Sequence, residues 1–508
     1  MRDNDQRRAA TRVWAGFAAL LALAGLPVFS TVLPPLVDYP NHLARMHLIA
    51  QGGNAFYAVN WSAIPDLAED LIVPPLSRLL PLAVAAKLFL VMIFALCAGG
   101  ALWLNRVAAG GWRLWPLLAF LLLYSRVFLW GFLNYLFGIG LALIGAALWL
   151  ALEETPRWRR AAASAIVAIA VYFAHIEAFV FYALVVVGLE ATPALAELRA
   201  GAWRALLARA LTAAPQFLLP ASLFLFGWRH VAAASAVHFA IERKADLLFS
   251  VFDDYSRPFD IACFLLFLGL PIALAASGRL GVAPRLRWPL ALVFAAYLLA
   301  PSRLFGGSGV DHRLPVALLL LLVAASVPRF PSRRTGRIVA GCALAVFALR
   351  LGVVERVWLQ ADRVYRADLA GIDLLPRGAK LALAYPPRLV DFAPVPLLHF
   401  PTLAIVRREA FVPTLFANPA QQPVAMRGPY AALAAKTVPQ DLWSAFVGRD
   451  AAAATRAAGI LAHYDDVAFL DIRPFRVAPS RCLAPLFRRP RFQIFSLLPS
   501  CRAGASPK

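Results

Sequence analysis

A few short groups in this 508-residue chain carry side chains able to do chemistry. In "VDYPNHLAR" the carboxylate of Asp38 can take a proton, and His42 and Arg45 just after it can hold an anion. "HIE" supplies His175 and Glu177. "DHR" sets Asp311, His312 and Arg313 side by side after the Gly-rich "LFGGSG". A helix is expected to begin there, so its N-terminal dipole would add to the positive potential at Arg313. Arg303 precedes this turn, and a second acidic group, Asp66, Glu69 and Asp70 in "IPDLAEDLI", follows the first. There is no Walker loop, no G-x-G-x-x-G after a strand, no H-E-x-x-H and no C-x-x-C. Two unconnected His- and acid-containing groups are too little to define a metal site, so neither a metal nor a cofactor is expected.

These groups are embedded in a chain that is 61% hydrophobic and only 15% charged, with a mean hydropathy of +0.69. Such a composition excludes a soluble multidomain protein and points to one folded largely in lipid. The formal charge of +22 sits in short arginine clusters between apolar runs. It does not lie along one face with interleaved aromatics, so nucleic acid is not an expected partner and membrane lipid is.

Apolar runs give candidate spans near residues 13–33, 79–104, 114–130, 131–152, 205–228, 259–277, 288–301, 314–328 and 338–354. The first has about the twenty residues needed to cross a bilayer and no clear small-x-small cleavage pattern after it, so it reads as a retained helix. The run 161–191 is too long for one ordinary helix and carries His175 and Glu177 at its middle, where a lipid-facing charge is costly. Read as a hairpin turning at those two residues, it brings the count to about eleven spans. It also puts Arg106 and Arg113, Arg157 to Arg160, Arg199 to Arg209, Arg279 to Arg287 and Arg329 to Arg337 all inside with the N-terminus.

The expected fold is therefore mainly α: a polytopic transmembrane helical bundle, residues 1–355, with outer loops 34–78, 229–258 and 302–313. A C-terminal extracytoplasmic α/β domain, 356–508, would follow. Its strand-like runs are "KLALAY", "TLAIVRR", "VAFLDI" and "FQIFSLL". Cys482 and Cys501 both fall in this domain and, in an oxidising compartment, are able to pair. This topology gathers Asp38, His42, Arg45, His175, Glu177, Arg303, Asp311, His312 and Arg313 on the outer face, a mixed-charge surface suited to an anionic lipid-linked substrate. Each also has a plainer reading as a solvated loop residue. Asn134 and the glycines of "WGFLNYLFGIG" read as packing positions.

A cytoplasmic tail, one helix and then a long outer loop opening with an acidic residue resemble the GT-C superfamily of integral membrane glycosyltransferases. That resemblance implies transfer of a sugar from a polyprenyl-phosphate donor to a glycan, lipid or protein acceptor at the outer face of the bacterial inner membrane, the lipid-linked sugar being a substrate. It implies that the first outer loop carries the catalytic carboxylate, here Asp38, and that "YPNHLARMHLIAQ" is an interfacial helix. Asp38 has no adjacent acidic partner; Asp66, Glu69 and Asp70 lie almost thirty residues later. Inverting transfer needs a carboxylate to take the acceptor's proton and cations for the leaving phosphate. Arg313 is the first candidate for the second task, with Arg303, Arg45 and His42 after it. The competing reading is a transporter or flippase for a lipid-linked or anionic substrate, which would use intramembrane charges and often internal repeats. No convincing repeat is seen.

Overall fold

The computed structural model describes residues 2–228, 237–304, 307–389 and 393–502. The first part of the expected outer loop 229–258, and residues 305 and 306 of the Gly-rich turn, lie outside them. The chain is mostly helical and forms two compact units. The first comprises Met1–Val28, Ala63–Glu69 and Leu88–Glu355; the second comprises Phe29–Ser62, Asp70–Lys87 and Arg356–Lys508. Residues of the first long loop therefore belong to the same unit as the C-terminal region.

Among the described residues, six helices are long and apolar enough to cross a membrane: Gln6–Ser30, Leu82–Ala109, Leu133–Ala151, Ile176–Arg199, Arg257–Ala276 and Arg333–Asp373. A seventh span results if Trp203–Ala213 and Pro215–Phe226, bent by 48° at their junction, act together. The protein is thus a multi-pass membrane protein. Other runs counted in the sequence are shorter elements. Residues 114–130 form a 3₁₀ helix, Trp115–Leu122, and a short helix, Arg126–Trp130. Arg287–Leu299 and Val310–Ala325 have 13 and 16 residues. At about 1.5 Å per residue they fall short of a hydrocarbon core about 30 Å thick.

Within the first unit, helices pack at glycine distance. A Cβ on Gly140 would stand 2.5 Å from the Leu96 Cβ and 2.7 Å from its carbonyl carbon, so Leu133–Ala151 can touch Leu82–Ala109 only without a side chain there. Gly188 is equally close to Pro289. The run 161–191 does break at His175, whose extended backbone (φ −170°, ψ 136°) joins the helices Arg157–Ala174 and Ile176–Arg199. At the far end of these two, Glu190 accepts from Trp149 Nε1 at 2.7 Å and from Arg160 at 3.1 Å, and also pairs with Arg209.

The second unit has a four-stranded sheet in the order Leu381–Ala384, Asp466–Leu470, Phe492–Leu497, Leu483–Arg488. The first pair is parallel and the others antiparallel. Asp466–Leu470 is buried at every position, as a central strand should be. Three of the four strand-like runs in the sequence are strands. The fourth, "TLAIVRR", is helical from Leu403 to Arg408, with Leu403, Ala404 and Ile405 buried. A short buried apolar run has no period long enough to distinguish the two states. The strand Leu483–Arg488 was hidden by Pro485, which a sheet tolerates at its edge, where this strand lies, next to a register shift at Ile494/Phe495. Cys482 and Cys501 are disulfide-bonded, with Cα atoms 5.6 Å apart.

First-loop residues are built into this unit by pairing. Tyr57–Val59 runs antiparallel to Val424–Met426, and the Tyr57 hydroxyl donates to the Val412 carbonyl and accepts from its N–H, both at 2.8 Å. Val32 N donates to Asp362 at 2.6 Å.

Candidate functional site

The helix Tyr39–Gln51 begins as expected from "YPNHLARMHLIAQ" and ends on Gly52, whose φ of 78° is the left-handed stop that glycine permits. Nine of its thirteen residues are buried, Tyr39 to Met46 without a break, so it is packed into the second unit. Polar groups that a lipid-facing helix would turn to water, Asn41, His42 and Arg45, are instead satisfied internally.

Asp38 is the N-cap of this helix, yet its side chain makes no capping hydrogen bond. An aspartate at this position normally accepts from the second or third N–H. Here Pro40 occupies the first turn and Oδ1 lies 3.3 Å from His399 Nε2. His399 is 8% exposed, with Nδ1 3.1 Å from Asn41 Nδ2 and its ring edge-on to Phe416 at 4.9 Å. One turn along the helix, Arg45 is 1% exposed and donates from Nε to Asp70 at 2.7 Å, while its NH2 is 3.3 Å from His42 Nδ1. The Arg45 charge is thus compensated inside the protein, and Asp70 is the member of the second acidic group that compensates it. Farther along, His47 meets Glu409 at 3.0 Å. Burial would push the Glu409 carboxyl up, but hydrogen bonds from His47, Asn54 and Gln51 outweigh it and hold the group below its ordinary 4.5.

The first unit holds a second set. His175 caps the helix Ile176–Arg199 by accepting the Glu177 N–H on Nδ1 at 3.1 Å, and packs edge-on to Tyr135. Glu177 is ion-paired with Arg313, whose guanidinium lies 4.3 Å over the Phe132 ring. Tyr135 Oη donates to the Arg313 carbonyl at 2.9 Å. Asp311 is fully buried and paired with Lys244 at 3.2 Å; Lys244 also donates to the Ala300 carbonyl. His312 lies against Trp130 at 5.2 Å. Arg303 is exposed, and its backbone pairs with His238. Asn134, read as a packing residue, uses its amide as a clasp: Oδ1 accepts from Glu69 N at 2.8 Å and Nδ2 donates to the Asp66 carbonyl at 2.7 Å.

The expected residues therefore fall into two groups, Asp38, His42 and Arg45 in the second unit and His175, Glu177, Asp311, His312 and Arg313 in the first. Sequence reading missed Asn41, His399 and Lys244. Asn41 and His399 are separated by 358 positions, and "LLHFPT" has no motif around its histidine. Asn41 was visible only as one polar residue in an amphipathic run. Arg350 was also missed: buried in the long helix, it pairs with Asp254 at 3.1 Å and approaches Asp260 at 3.6 Å.

No family model matches the chain, and no curated protein does. Solved structures do. The crystal structure of ArnT from Cupriavidus metallidurans bound to undecaprenyl phosphate aligns over 98% of this chain and 99% of its own, with a TM-score of 0.54 and 13% identity. The cryo-EM structure of the arabinofuranosyltransferase AftD from Mycobacteria aligns over 96% of this chain at TM-score 0.52 and 15% identity; the match spans 40% of AftD. Helices and C-terminal sheet alike are covered by the first alignment, and the architecture is the one that the acidic first loop, apolar helices and C-terminal region resemble: this chain has the GT-C fold.

Proposed function

We propose that the protein is a membrane glycosyltransferase that moves a sugar from a polyprenyl-phosphate donor to an acceptor at the outer face of the bacterial inner membrane. The observation that carries this reading is the end-to-end likeness to a structure that holds undecaprenyl phosphate. Asp38 is the general base. Its carboxylate is turned away from the helix it caps and is 18% exposed among buried neighbours. As the acceptor oxygen bonds to the anomeric carbon, the bond from that carbon to the phosphate oxygen breaks with its electron pair, and the acceptor's proton passes to Asp38, with inversion. His42, on the helix that Asp38 begins, is the group proposed to stabilise the leaving phosphate, where negative charge builds. Arg45 holds His42 in place.

The N-terminus is cytoplasmic and the C-terminal region, residues 356–508, lies outside in the periplasm, in keeping with its disulfide. The test is turnover by the full chain in liposomes, given a panel of undecaprenyl-phosphate-linked sugars and a periplasmic lipid and glycan extract. We expect wild-type protein to release undecaprenyl phosphate and Asp38→Asn to lose this by about 10²- to 10⁴-fold with an unchanged melting temperature. Full activity in Asp38→Asn removes it from the mechanism. Translocation of the lipid-linked sugar without transfer would support the transporter instead.

A further inference from the structure

We infer that His399 is a positioning residue for Asp38: a neutral imidazole, locked by Asn41 with its proton on Nε2, which anchors Oδ1 and leaves Oδ2 as the oxygen that takes the proton. The role of Oδ2 rests on the reading of Asp38 as base; the tautomer does not.

The argument starts at Phe416, whose backbone N–H donates to Asn41 Oδ1 at 2.8 Å. A backbone N–H can only donate, so this bond fixes which end of the Asn41 amide is oxygen. The other end, Nδ2, has two protons. One goes to the Thr414 carbonyl at 3.0 Å and the other points at His399 Nδ1 at 3.1 Å. An amide nitrogen offers no lone pair, so Nδ1 must accept and carries no proton. The ring proton is therefore on Nε2, which faces Asp38 Oδ1 at 3.3 Å. A doubly protonated ring would set its Nδ1–H against the Asn41 N–H. The backbone of His399 is held as well, because its carbonyl accepts from both the N–H and the hydroxyl of Thr402. With Asn41 and His399 both buried, the chain of donors has little room to rotate.

The direction of this chain is opposite to that of a Ser-His-Asp triad, in which the carboxylate orients a histidine that moves the proton. Here Nε2 is already protonated and Nδ1 is occupied, so His399 has no site for the proton that Asp38 receives. Its task is to hold one carboxylate oxygen so that the other is presented in a single orientation.

Nitrogen NMR of the full chain in lipid nanodiscs, labelled with ¹⁵N-histidine, tests the tautomer without any substrate. The His399 signals are those lost in His399→Gln. We expect Nδ1 at the position of an unprotonated ring nitrogen and Nε2 at that of a protonated one at neutral pH, and Asp38→Asn to move the Nε2 signal only. The opposite tautomer, a doubly protonated ring, or an Nε2 signal indifferent to Asp38→Asn overturns the inference. In the liposome assay, loss of a hydrogen bond to a charged group should make His399→Ala about 10- to 100-fold slower in kcat with KM little changed, and His399→Gln, which keeps a donor, should recover most of it. Equal damage in both variants, or a loss carried by KM, rejects the positioning role. If wild-type protein turns over no member of the panel, the transferase reading falls while the NMR result still decides the tautomer.

Discussion

Arg45 and Asp70 set the energetic stakes at the scale of single residues. Both are essentially excluded from solvent, at 1% exposure, and the 2.7 Å bond between them offsets the cost of burying two charges. Removing one partner leaves the other charged and dry. Arg45→Met should therefore lower stability by about 3–5 kcal/mol, while Arg45→Met with Asp70→Leu should recover much of it. A melt of the three proteins in one detergent checks this; equal loss in single and double variants would contradict it. A residue named from sequence as a binder of substrate thus has a structural task that its type and spacing did not reveal, because "HLAR" reads the same on a buried helix as on an exposed one. The reverse holds for His399, whose relation to Asp38 appears only once residues far apart in the chain are folded together.

Two elements lend themselves to direct tests. The helix Leu133–Ala151 approaches Leu82–Ala109 through Gly140, and a valine there would drive Cβ into Leu96 and the backbone beside it. Gly140→Val should cost about 1–3 kcal/mol by overpacking, read as a lower melting temperature of the membrane-embedded protein. The helix Tyr39–Gln51 is tied to Glu409 through His47. Because the folded Glu409 carboxyl lies below its ordinary 4.5, its contribution is complete above that pH and lost as the pH falls through the lowered value. Stability should then drop on acidification below about 4.5, and Glu409→Gln should reduce the acid-dependent part of that drop; an identical slope in both proteins would remove this pair as its source.

Apolar periodicity made many elements legible in advance, among them the break at His175 and three strands of the sheet. It failed on short segments. "TLAIVRR" became a helix, and the strand containing Pro485 went unnoticed. Both have one cause: about six or seven residues of pattern do not define a period, and burial by distant partners then decides the conformation.

At the scale of the whole molecule, the chain does not divide where one linear boundary would divide it. Residues 29–62 and 70–87 belong with the C-terminal region, and a strand at Tyr57 pairs with one at Val424. The disulfide closes a separate loop within that region, with a sequence separation of 19. In the chain-entropy account such a closure contributes about 3 kcal/mol, so Cys482→Ser with Cys501→Ser should lower the melting temperature of the protein. No change would mean that the pairing adds nothing beyond packing.

Composition and charge distribution alone determined that this is a membrane protein, since lipid is the only solvent in which so apolar and so sparsely charged a chain is stable. The resemblance to the GT-C superfamily singled out Asp38, as the acidic residue that opens the first outer loop. Tertiary structure decided what surrounds it. That His399 stands beside Asp38 and that the strand at Tyr57 joins the C-terminal region depend on contacts between residues hundreds of positions apart, and Arg45 finds its counterion 25 positions along the chain. Such contacts leave no local pattern, because the hydrogen bonds that create them are satisfied only when the chain has folded.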